Sequence, residues 1–429
     1  MKLLLKAARV IDPSQKIDAR MDILIEEGKI AGCNSNIKAS QDVKVIDLTG
    51  MIVAPGLIDM HVHLREPGLE YKETIASGSA AAVAGGFTSI ACMPNTEPVN
   101  DNRSVTEFIR RKAAEANLAN VYPIGAISIG SEGRQLTEFW DLKEAGILAL
   151  SDDGKPVMDA ALMRRALEYA SSLDLPVIQH CEDKNLSAGG LMHEGYYATM
   201  LGLPGIPAIA EDVMVARDIL IAEYTRTRIH IAHVSTAGAV RLIRNAKARG
   251  LNVTAETAPH YFTLTDESLQ DYDTNYKVSP PLRSAADVAA IKEGLADGTL
   301  DVIACDHAPH ARTDKEVEFE YALNGISGLE TSLGLSLNLV QEGVLPLPEL
   351  IGKMSCNPAR ILNLPKGALI KGADADITVI HPDRSWTVNV KAFRSRGKNS
   401  PFSGRQMQGC AVLTIVGGDI KYDGLASKT

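Results

Sequence analysis

Short apolar runs separated by turn residues occupy both ends of the chain. They include Leu3–Leu5 and Ile23–Ile25 near the start, and Val412–Val416 near the end. Runs of this kind, bounded by turn residues, predict small strands of an antiparallel sheet. The two ends therefore predict one composite β-sandwich domain, made jointly by residues 1–53 and 365–429.

The pattern between the two ends, over residues 54–364, changes to apolar runs that alternate with stretches of helical periodicity, such as Ala160–Ser171 and Ala237–Ala248. The eight apolar runs are Leu57–Val62, Phe87–Met93, Val121–Ile127, Gly146–Leu150, Pro176–Ile178, Ile229–Ala232, Val253–Ala255 and Val302–Cys305. Eight parallel strands with crossover helices take about 250 residues in a (β/α)₈ TIM barrel, which is the α/β fold predicted here. A doubly wound sheet is the alternative, but Gly85-Gly86 precedes a strand where the glycine fingerprint would follow one.

The composition fits a soluble globular protein. The chain has 429 residues, of which 45% are hydrophobic and 23% charged, enough apolar material for a large core and a second one. The net charge is −9 without a run of Lys or Arg, which argues against nucleic-acid binding. Six scattered cysteines without a CxxC motif favour reduced thiols and a cytoplasmic location. No apolar stretch has the length of a membrane span or signal peptide.

Polar side chains follow six of the eight predicted strands, at the face where barrel enzymes build their sites. The metal-binding types among them are His61, His63, Asp153, His180, His233 and Asp306. His61 and His63 stand two positions apart on one strand, so both side chains point the same way. Imidazole and carboxylate ligands suit zinc or a similar divalent ion, and six exceed what one tetrahedral ion needs. The set predicts a two-metal site with a bridging hydroxide, able to hydrolyse an unactivated carbonyl or to run the reverse reaction.

Neighbouring residues leave alternatives open. Asp152 competes with Asp153 as a ligand, since a DDG sequence is also a common turn. The charged segment 311–325 follows the last barrel strand and predicts a loop that shields the site, with a static surface loop as the alternative. The remaining histidines have no partner pattern and are predicted to be ordinary packed or surface residues; they are His193, His230, His260, His307 and His381.

The segment Val53-Ala-Pro-Gly-Leu-Ile-Asp-Met-His-Val-His63 resembles the opening barrel strand of the amidohydrolase superfamily. Its continuation to Gly68, with Met93–Thr96, Lys277–Arg283 and Asp306–His310, resembles the bacterial class I dihydroorotases over nearly the whole chain. The resemblance implies a zinc-dependent cyclic amidohydrolase with a small-molecule substrate. The implied reaction is the reversible cyclisation of N-carbamoyl-L-aspartate to L-dihydroorotate, in pyrimidine (UMP) biosynthesis.

The resemblance also implies roles for individual residues. His61, His63 and Asp306 would bind one zinc, and His180 with His233 the other. Two Zn²⁺ per subunit would be bridged by Asp153 and a hydroxide, with a carboxylated Lys155 as the alternative bridge. Asp306 would also be the catalytic base.

The substrate's carboxylate would be held by Arg65, Asn95 and His310. A guanidinium fork matches a carboxylate bidentately, which fits Arg65 independently of the resemblance. Two positions depart from the family pattern: Ser279 stands where Asn is usual, and Asn324 where Phe is usual. Both concern substrate fit and not metal binding.

Two rival functions follow from the same residues. An allantoinase or dihydropyrimidinase has similar metal chemistry, but its substrates lack the carboxylate that Arg65 would bind. A non-catalytic partner of aspartate carbamoyltransferase is disfavoured because all six ligand positions are filled. The family also implies a homodimer and allows association of an active enzyme with that transferase.

Overall fold

The computed structural model describes residues 2–39 and 41–425, so the outermost parts of the predicted composite domain, residues 1 and 426–429, lie outside it. The strands are β1 (Leu3–Asp12), β2 (Ile17–Glu26), β3 (Lys29–Asn34), β4 (Lys44–Asp47), β5 (Ile52–Pro55), β6 (Leu57–Val62), β7 (Phe87–Cys92), β8 (Asn120–Pro123), β9 (Ile178–Gln179), β10 (Met192–His193), β11 (Gly205–Ile206), β12 (Ile229–Ile231), β13 (Val253–Thr257), β14 (Val302–Ile303), β15 (Ile377–Thr387), β16 (Gln406–Val416) and β17 (Asp419–Asp423). The helices are α1 (Ile75–Ala84), α2 (Arg103–Ala116), α3 (Phe139–Ala145), α4 (Ala160–Ser172), α5 (Tyr196–Leu201), α6 (Ile209–Thr225), α7 (Ala237–Ala248), α8 (Ala285–Ala296), α9 (Arg312–Lys315), α10 (Leu329–Gln341), α11 (Leu347–Ile351) and α12 (Asn357–Ile361).

Strands from both ends of the chain form one eight-stranded sheet. Its order is β17-β16-β15-β5-β1-β2-β3, with β4 paired to β1. The antiparallel pairing of β15 with β5, in which Val379 faces Val53, joins the two ends. Both residues are fully buried in a core that also contains Leu5 and Leu413. The predicted β domain built from both termini is confirmed.

The middle of the chain closes into a barrel of parallel strands. β6, β7 and β8 pair in that order, and β9, β12, β13 and β14 form the second arc. Isolated parallel bridges at Leu150 connect the two arcs on one side, in place of the predicted strand Gly146–Leu150. A parallel bridge between Val62 and His307 closes the barrel on the other side. The predicted (β/α)₈ barrel is confirmed, with its fourth strand reduced to one bridging residue.

Side-chain caps begin the helices that cover the barrel. The capping residues are Thr74 for α1, Asn102 for α2, Asp159 for α4, Thr236 for α7 and Ser284 for α8. Each side-chain oxygen accepts a hydrogen bond from a backbone N–H that has no partner within its helix. Among the described residues, no helix combines the length and apolar character needed to cross a bilayer.

The connection between β15 and β16 crosses from the terminal sheet to the barrel. This crossing segment, residues 388–405, bonds to the barrel beyond the carboxyl end of β14. Asn399 Nδ2 donates to the carbonyl of Ala308 at 3.0 Å, and the backbone N–H of Arg394 donates to Glu330 at 2.7 Å. The terminal sheet therefore reaches the face of the barrel where polar residues follow the strands.

Candidate active site

The six side chains predicted as metal ligands come together at the carboxyl ends of the barrel strands. Each is at least 94% buried, with exposures between 0% and 6%. Ligand atoms of five of them form two groups within 4.8 Å, one of His61, Asp153 and His233 and one of His61, His63 and Asp306, and the sixth, His180, adjoins His233. Parallel strands present their carboxyl ends to one face, which is why residues far apart in sequence meet here.

Asp153 lies between two pairs of histidines. Its Oδ2 is 3.4 Å from His61 Nε2 and 3.5 Å from His63 Nε2. Its Oδ1 is 3.3 Å from His233 Nε2 and 3.7 Å from His180 Nδ1. One carboxylate thus offers one oxygen to each pair, which is the arrangement of a bridging ligand.

Carboxylate oxygens and imidazole nitrogens crowd this centre. His180 donates its Nε2 hydrogen to Glu182, and its Nδ1 lies 2.9 Å from His233 Nε2. His61 Nε2 is buried without a hydrogen-bond partner. It lies 3.4 Å from an oxygen of Asp153 and 3.5 Å from an oxygen of Asp306. Buried polar atoms are normally partnered, and a divalent cation would give His61 Nε2 and the two nearby carboxylate oxygens a common partner. The donor set therefore fits metal ions.

The second ring nitrogen of three of these histidines is held by a carboxylate or amide oxygen. The pairs are His61 Nδ1 with Glu256 at 2.5 Å, His63 Nδ1 with Asn95 at 2.8 Å, and His180 Nε2 with Glu182 at 2.9 Å. Because these oxygens only accept, each bond fixes which ring nitrogen carries the hydrogen and which faces the centre. Such outer contacts orient histidine ligands and raise their basicity.

Glu256 is a functional residue that the sequence reasoning missed. It is 1% exposed, and its second oxygen lies 3.3 Å from His230 Nε2. Burial raises the pKa of Glu256, but the neighbouring His61 and His230 outweigh burial and lower it to about 2. Its signal was present, since it ends the apolar run Val253–Ala255 just as the predicted ligands end theirs.

Of the five histidines predicted to be ordinary packed or surface residues, His230 and His307 are packed in the interior, each against a buried carboxylate. His230 shares Glu256 with His61, and His307 Nε2 lies 3.3 Å from the fully buried Glu73. These carboxylates come from distant parts of the chain, so the sequence around each histidine gave no sign of them. His260 is also buried.

The open choice between Asp152 and Asp153 is decided by their contacts. Asp152 accepts hydrogen bonds from the backbone N–H and hydroxyl of Ser128, away from the histidines. Lys155 is exposed, whereas Asp153 is buried among the histidines. Asp153 is therefore the carboxylate that this turn presents to the site.

Three site residues hold a positive backbone φ: Arg65 at 64°, His233 at 33° and Asp306 at 46°. This left-handed conformation is uncommon for residues other than glycine and costs free energy, so it persists where the surrounding structure enforces it. Burial raises the pKa of the Asp306 carboxyl, but the charge of His61 and the hydrogen bond with His63 outweigh burial and hold it well below its usual range.

Arg65 places a buried cation beside this centre. Its side chain is 8% exposed, its Nε donates to the carbonyl of Pro309 at 3.2 Å, and its Nη2 is 3.4 Å from His310. Among the described residues no carboxylate lies within ion-pair distance of the guanidinium. Burial lowers the pKa of Arg65 to about 10, so it stays cationic at neutral pH. Carboxylates such as Asp306 and Asp153 act on the guanidinium only from beyond ion-pair distance, so it is available to pair directly with a bound anion.

Two lysines donate to backbone carbonyls of the loop 311–325, one from within the loop and one from outside it. The buried Lys315 ammonium donates to the carbonyl of Leu323 at 2.7 Å, and Lys277 donates to that of Phe319 at 2.6 Å. These bonds tie the backbone of the loop to itself and to the stretch that begins at Lys277.

Comparisons with known proteins agree with this architecture. A family model described as Dihydro-orotase-like matches residues 50–239. The dihydroorotase of Syntrophus aciditrophicus is 64% identical over 98% of this chain and 99% of its own length. That of Pelobacter propionicus is 57% identical over 98% of this chain and 100% of its own length.

Two solved structures resemble the whole molecule. The L-hydantoinase (dihydropyrimidinase) from Arthrobacter aurescens has a TM-score of 0.87 at 27% identity, covering 98% of this chain and 96% of its own. The dihydropyrimidinase from Brevibacillus agri has a TM-score of 0.87 at 26% identity, covering 99% and 95%. A TIM barrel with a terminal sheet and a His/Asp centre defines a cyclic amidohydrolase, an enzyme with a metal cofactor. Within that class, the chain belongs to the dihydroorotase family.

Proposed function

We propose that this protein is a class I dihydroorotase that interconverts N-carbamoyl-L-aspartate and L-dihydroorotate in pyrimidine biosynthesis. The observation that carries the proposal is the buried Arg65, with no carboxylate within ion-pair distance among the described residues, at the same barrel mouth as the His/Asp centre. A carboxylate-bearing cyclic amide satisfies both features at once. Allantoin and dihydrouracil carry no such carboxylate and would leave the buried guanidinium without a counterion.

Zinc is the proposed metal, with two ions per subunit. His61, His63 and Asp306 would hold one and His180 with His233 the other, and the two oxygens of Asp153 support its role as the bridge. Histidine nitrogen with carboxylate oxygen is a donor set that zinc prefers. When bound, such ions polarise a carbonyl and lower the pKa of water.

The protein's own residues bind the substrate and move the proton. Arg65 would pair with the substrate's carboxylate, and Asn95 has its amide NH₂ left to donate because its oxygen accepts from His63. In the hydrolytic direction Asp306 would take the proton of the attacking water and deliver it to the leaving ring nitrogen. In the synthetic direction the same carboxyl starts protonated.

His310 is the third residue of the proposed carboxylate pocket, and its ring would donate to the substrate by giving up the bond to Asn324. Its Nε2 donates to the carbonyl of Asn324 at 2.8 Å, and burial together with Arg65 lowers the pKa of His310 to about 2, so the ring is neutral. The contact uses the backbone of Asn324, whose side chain is exposed. Replacement of the family's Phe at this position therefore leaves the His310 contact intact. Ser279 is half-buried, and its hydroxyl reaches less far than the family's amide.

A zinc determination paired with a cyclisation assay tests the proposal. We expect bound zinc, turnover of carbamoyl aspartate and dihydroorotate, and no comparable turnover of allantoin or dihydrouracil. Ring closure consumes a proton together with the carboxylate, so the ratio of forward to reverse rate should rise as the pH falls. A ratio that does not change with pH would contradict this reaction. Absence of both bound metal and turnover would instead favour the non-catalytic partner of aspartate carbamoyltransferase.

A second prediction concerns Glu256. Replacing it with Gln should weaken zinc binding by about 10- to 100-fold, because the amide can still accept from His61 Nδ1–H but the negative charge that raises the basicity of the ring is lost. Competition with a chromophoric chelator measures this affinity without any assay of activity.

Asp376→Asn is the matched control for Glu256→Gln. Asp376 is 7% exposed and pairs with Lys366 at the terminal sheet, so it tests the general cost of neutralising a buried carboxylate. Zinc affinity should stay at the wild-type value in this control. Equal losses in both variants would show that Glu256 acts through stability and not through His61.

The remaining organisation is also a proposal. We assign residues 1–53 and 365–429 to the composite domain and 54–364 to the catalytic barrel, and the pairing of β15 with β5 supports this division. We also propose that the protein is a homodimer in the cytoplasm and that it associates with aspartate carbamoyltransferase. The six cysteines are free thiols, as a reducing compartment requires.

A further inference from the structure

The side chain of Asn399 occupies the base of the loop 311–325. Its Oδ1 accepts from the backbone N–H of His310 and from the hydroxyl of Ser327, both at 2.9 Å. Its Nδ2 donates to the carbonyls of Ala308 at 3.0 Å and Gly325 at 2.9 Å. Asn399 is 4% exposed, and both donors and both acceptor positions of its amide are in use.

These four bonds join the two ends of the loop. Ala308 and His310 belong to the stretch that leaves β14, whereas Gly325 and Ser327 belong to the stretch that returns toward α10. One buried amide therefore fixes where the loop begins and where it ends. A fully satisfied buried amide specifies one arrangement of its partners, since any displacement leaves a polar group unpaired.

The stretch that Asn399 holds is the one against which Arg65 rests. Arg65 Nε donates to the carbonyl of Pro309, which lies between the two residues bonded to the amide. The Arg65 Nη2 is close to His310, whose backbone N–H is bonded to Asn399. The position of the guanidinium is thus coupled to the amide through one short piece of backbone.

The crossing segment that carries Asn399 has contacts of its own. The Lys398 ammonium donates to the carbonyls of Phe393 and Ser395, both at 2.6 Å, and Glu330 accepts from the N–H of Ser395 at 3.1 Å. Gly397 packs so closely on Pro309 that an added Cβ would meet Pro309 Cβ at 2.5 Å. Asn399 is therefore presented from an anchored segment of the terminal sheet.

We propose that Asn399 is a positioning residue for the carboxylate pocket, through which the terminal sheet sets the place of His310 and Arg65. This inference rests on the proposed function, because it assigns the pocket to the substrate's carboxylate. The amide does not touch the substrate; it acts through the backbone from Ala308 to His310.

Asn399→Asp tests the inference with little change of size. The carboxylate can still accept from His310 N–H, but it faces the carbonyls of Ala308 and Gly325 without a hydrogen to donate. We expect the KM for dihydroorotate to rise by about tenfold or more, with a smaller change in kcat and unchanged zinc content. Asn399→Ser removes the two amide N–H donors without adding a charge. It should also raise KM, but by less than Asn399→Asp does.

Asn357→Asp is the matched control. Asn357 Nδ2 donates to the carbonyl of Asp301 at 2.8 Å, at the opposite end of β14 from the site, so the substitution also removes an amide donor from a backbone carbonyl. The KM of this variant should equal that of the wild type, even if its thermal stability is lower. An unchanged KM in both Asn399 variants, or an equal KM change in Asn357→Asp, would overturn the inference. Absence of wild-type turnover would instead overturn the proposed function, which separates the two failures.

Discussion

Asp306→Asn is expected to lower turnover in both directions by about 10²- to 10⁴-fold, the range that a positioned acid–base group contributes. The amide is nearly the same size as the carboxyl, but it cannot accept the proton of the attacking water or return one to the leaving nitrogen. The variant should stay folded because Asp306 lies at the barrel mouth, 6% exposed, and not within the apolar core. Rates for dihydroorotate and carbamoyl aspartate, expressed per bound zinc, measure the effect.

Asp152→Asn is the control for Asp306→Asn. Asp152 is 1% exposed and is bonded to Ser128, so its replacement should lower thermal stability while turnover stays within a few-fold of the wild type. Near-normal turnover per zinc in Asp306→Asn would remove that residue from the acid–base role.

Arg65→Met is expected to lower kcat/KM for dihydroorotate by about 10²- to 10³-fold, which is the cost of leaving a desolvated carboxylate without its partner. Arg65→Lys should fall between this variant and the wild type, because an ammonium keeps the charge and loses the bidentate fork. The thermal stability of Arg65→Met should not fall with its activity. Removing a buried cation that has no carboxylate within ion-pair distance among the described residues should leave the thermal midpoint unchanged or raise it.

Arg217→Met provides the contrast. Arg217 pairs at 2.7 Å with Asp218, whose side chain is fully buried, so its loss leaves an uncompensated carboxylate and should lower the thermal midpoint without changing KM. A fall in the midpoint of Arg65→Met as large as that of Arg217→Met would show that Arg65 serves the fold instead of the substrate.

Hydrophobic patterning predicts most of the barrel. β6 and α7 begin and end at the residues that the pattern indicates, and α4 extends one residue further, to Ser172. The predicted strand Gly146–Leu150 is reduced to bridges at Leu150 because an apolar pattern reports burial and does not report which backbone groups pair. The six candidate ligands were found by one rule, that parallel strands bring their carboxyl ends to one face.

The supporting residues were harder to predict because their partners are distant in sequence. Glu256 is 195 positions from His61, and Asn399 is 89 from His310. Only closure of the barrel and return of the chain through the terminal sheet bring these groups into contact. Glu256 could have been found by the strand-end rule, whereas nothing in the local pattern around Asn399 indicates its four partners.

The crossing segment links the terminal sheet to the substrate pocket of the barrel. A recombination that exchanged the terminal sheet for that of a relative would also exchange Asn399, and with it the support of the Arg65 pocket. A chimera joined before residue 388 takes Asn399 from the donor of the terminal sheet, whereas one joined after residue 405 keeps Asn399 together with the barrel residues that it bonds.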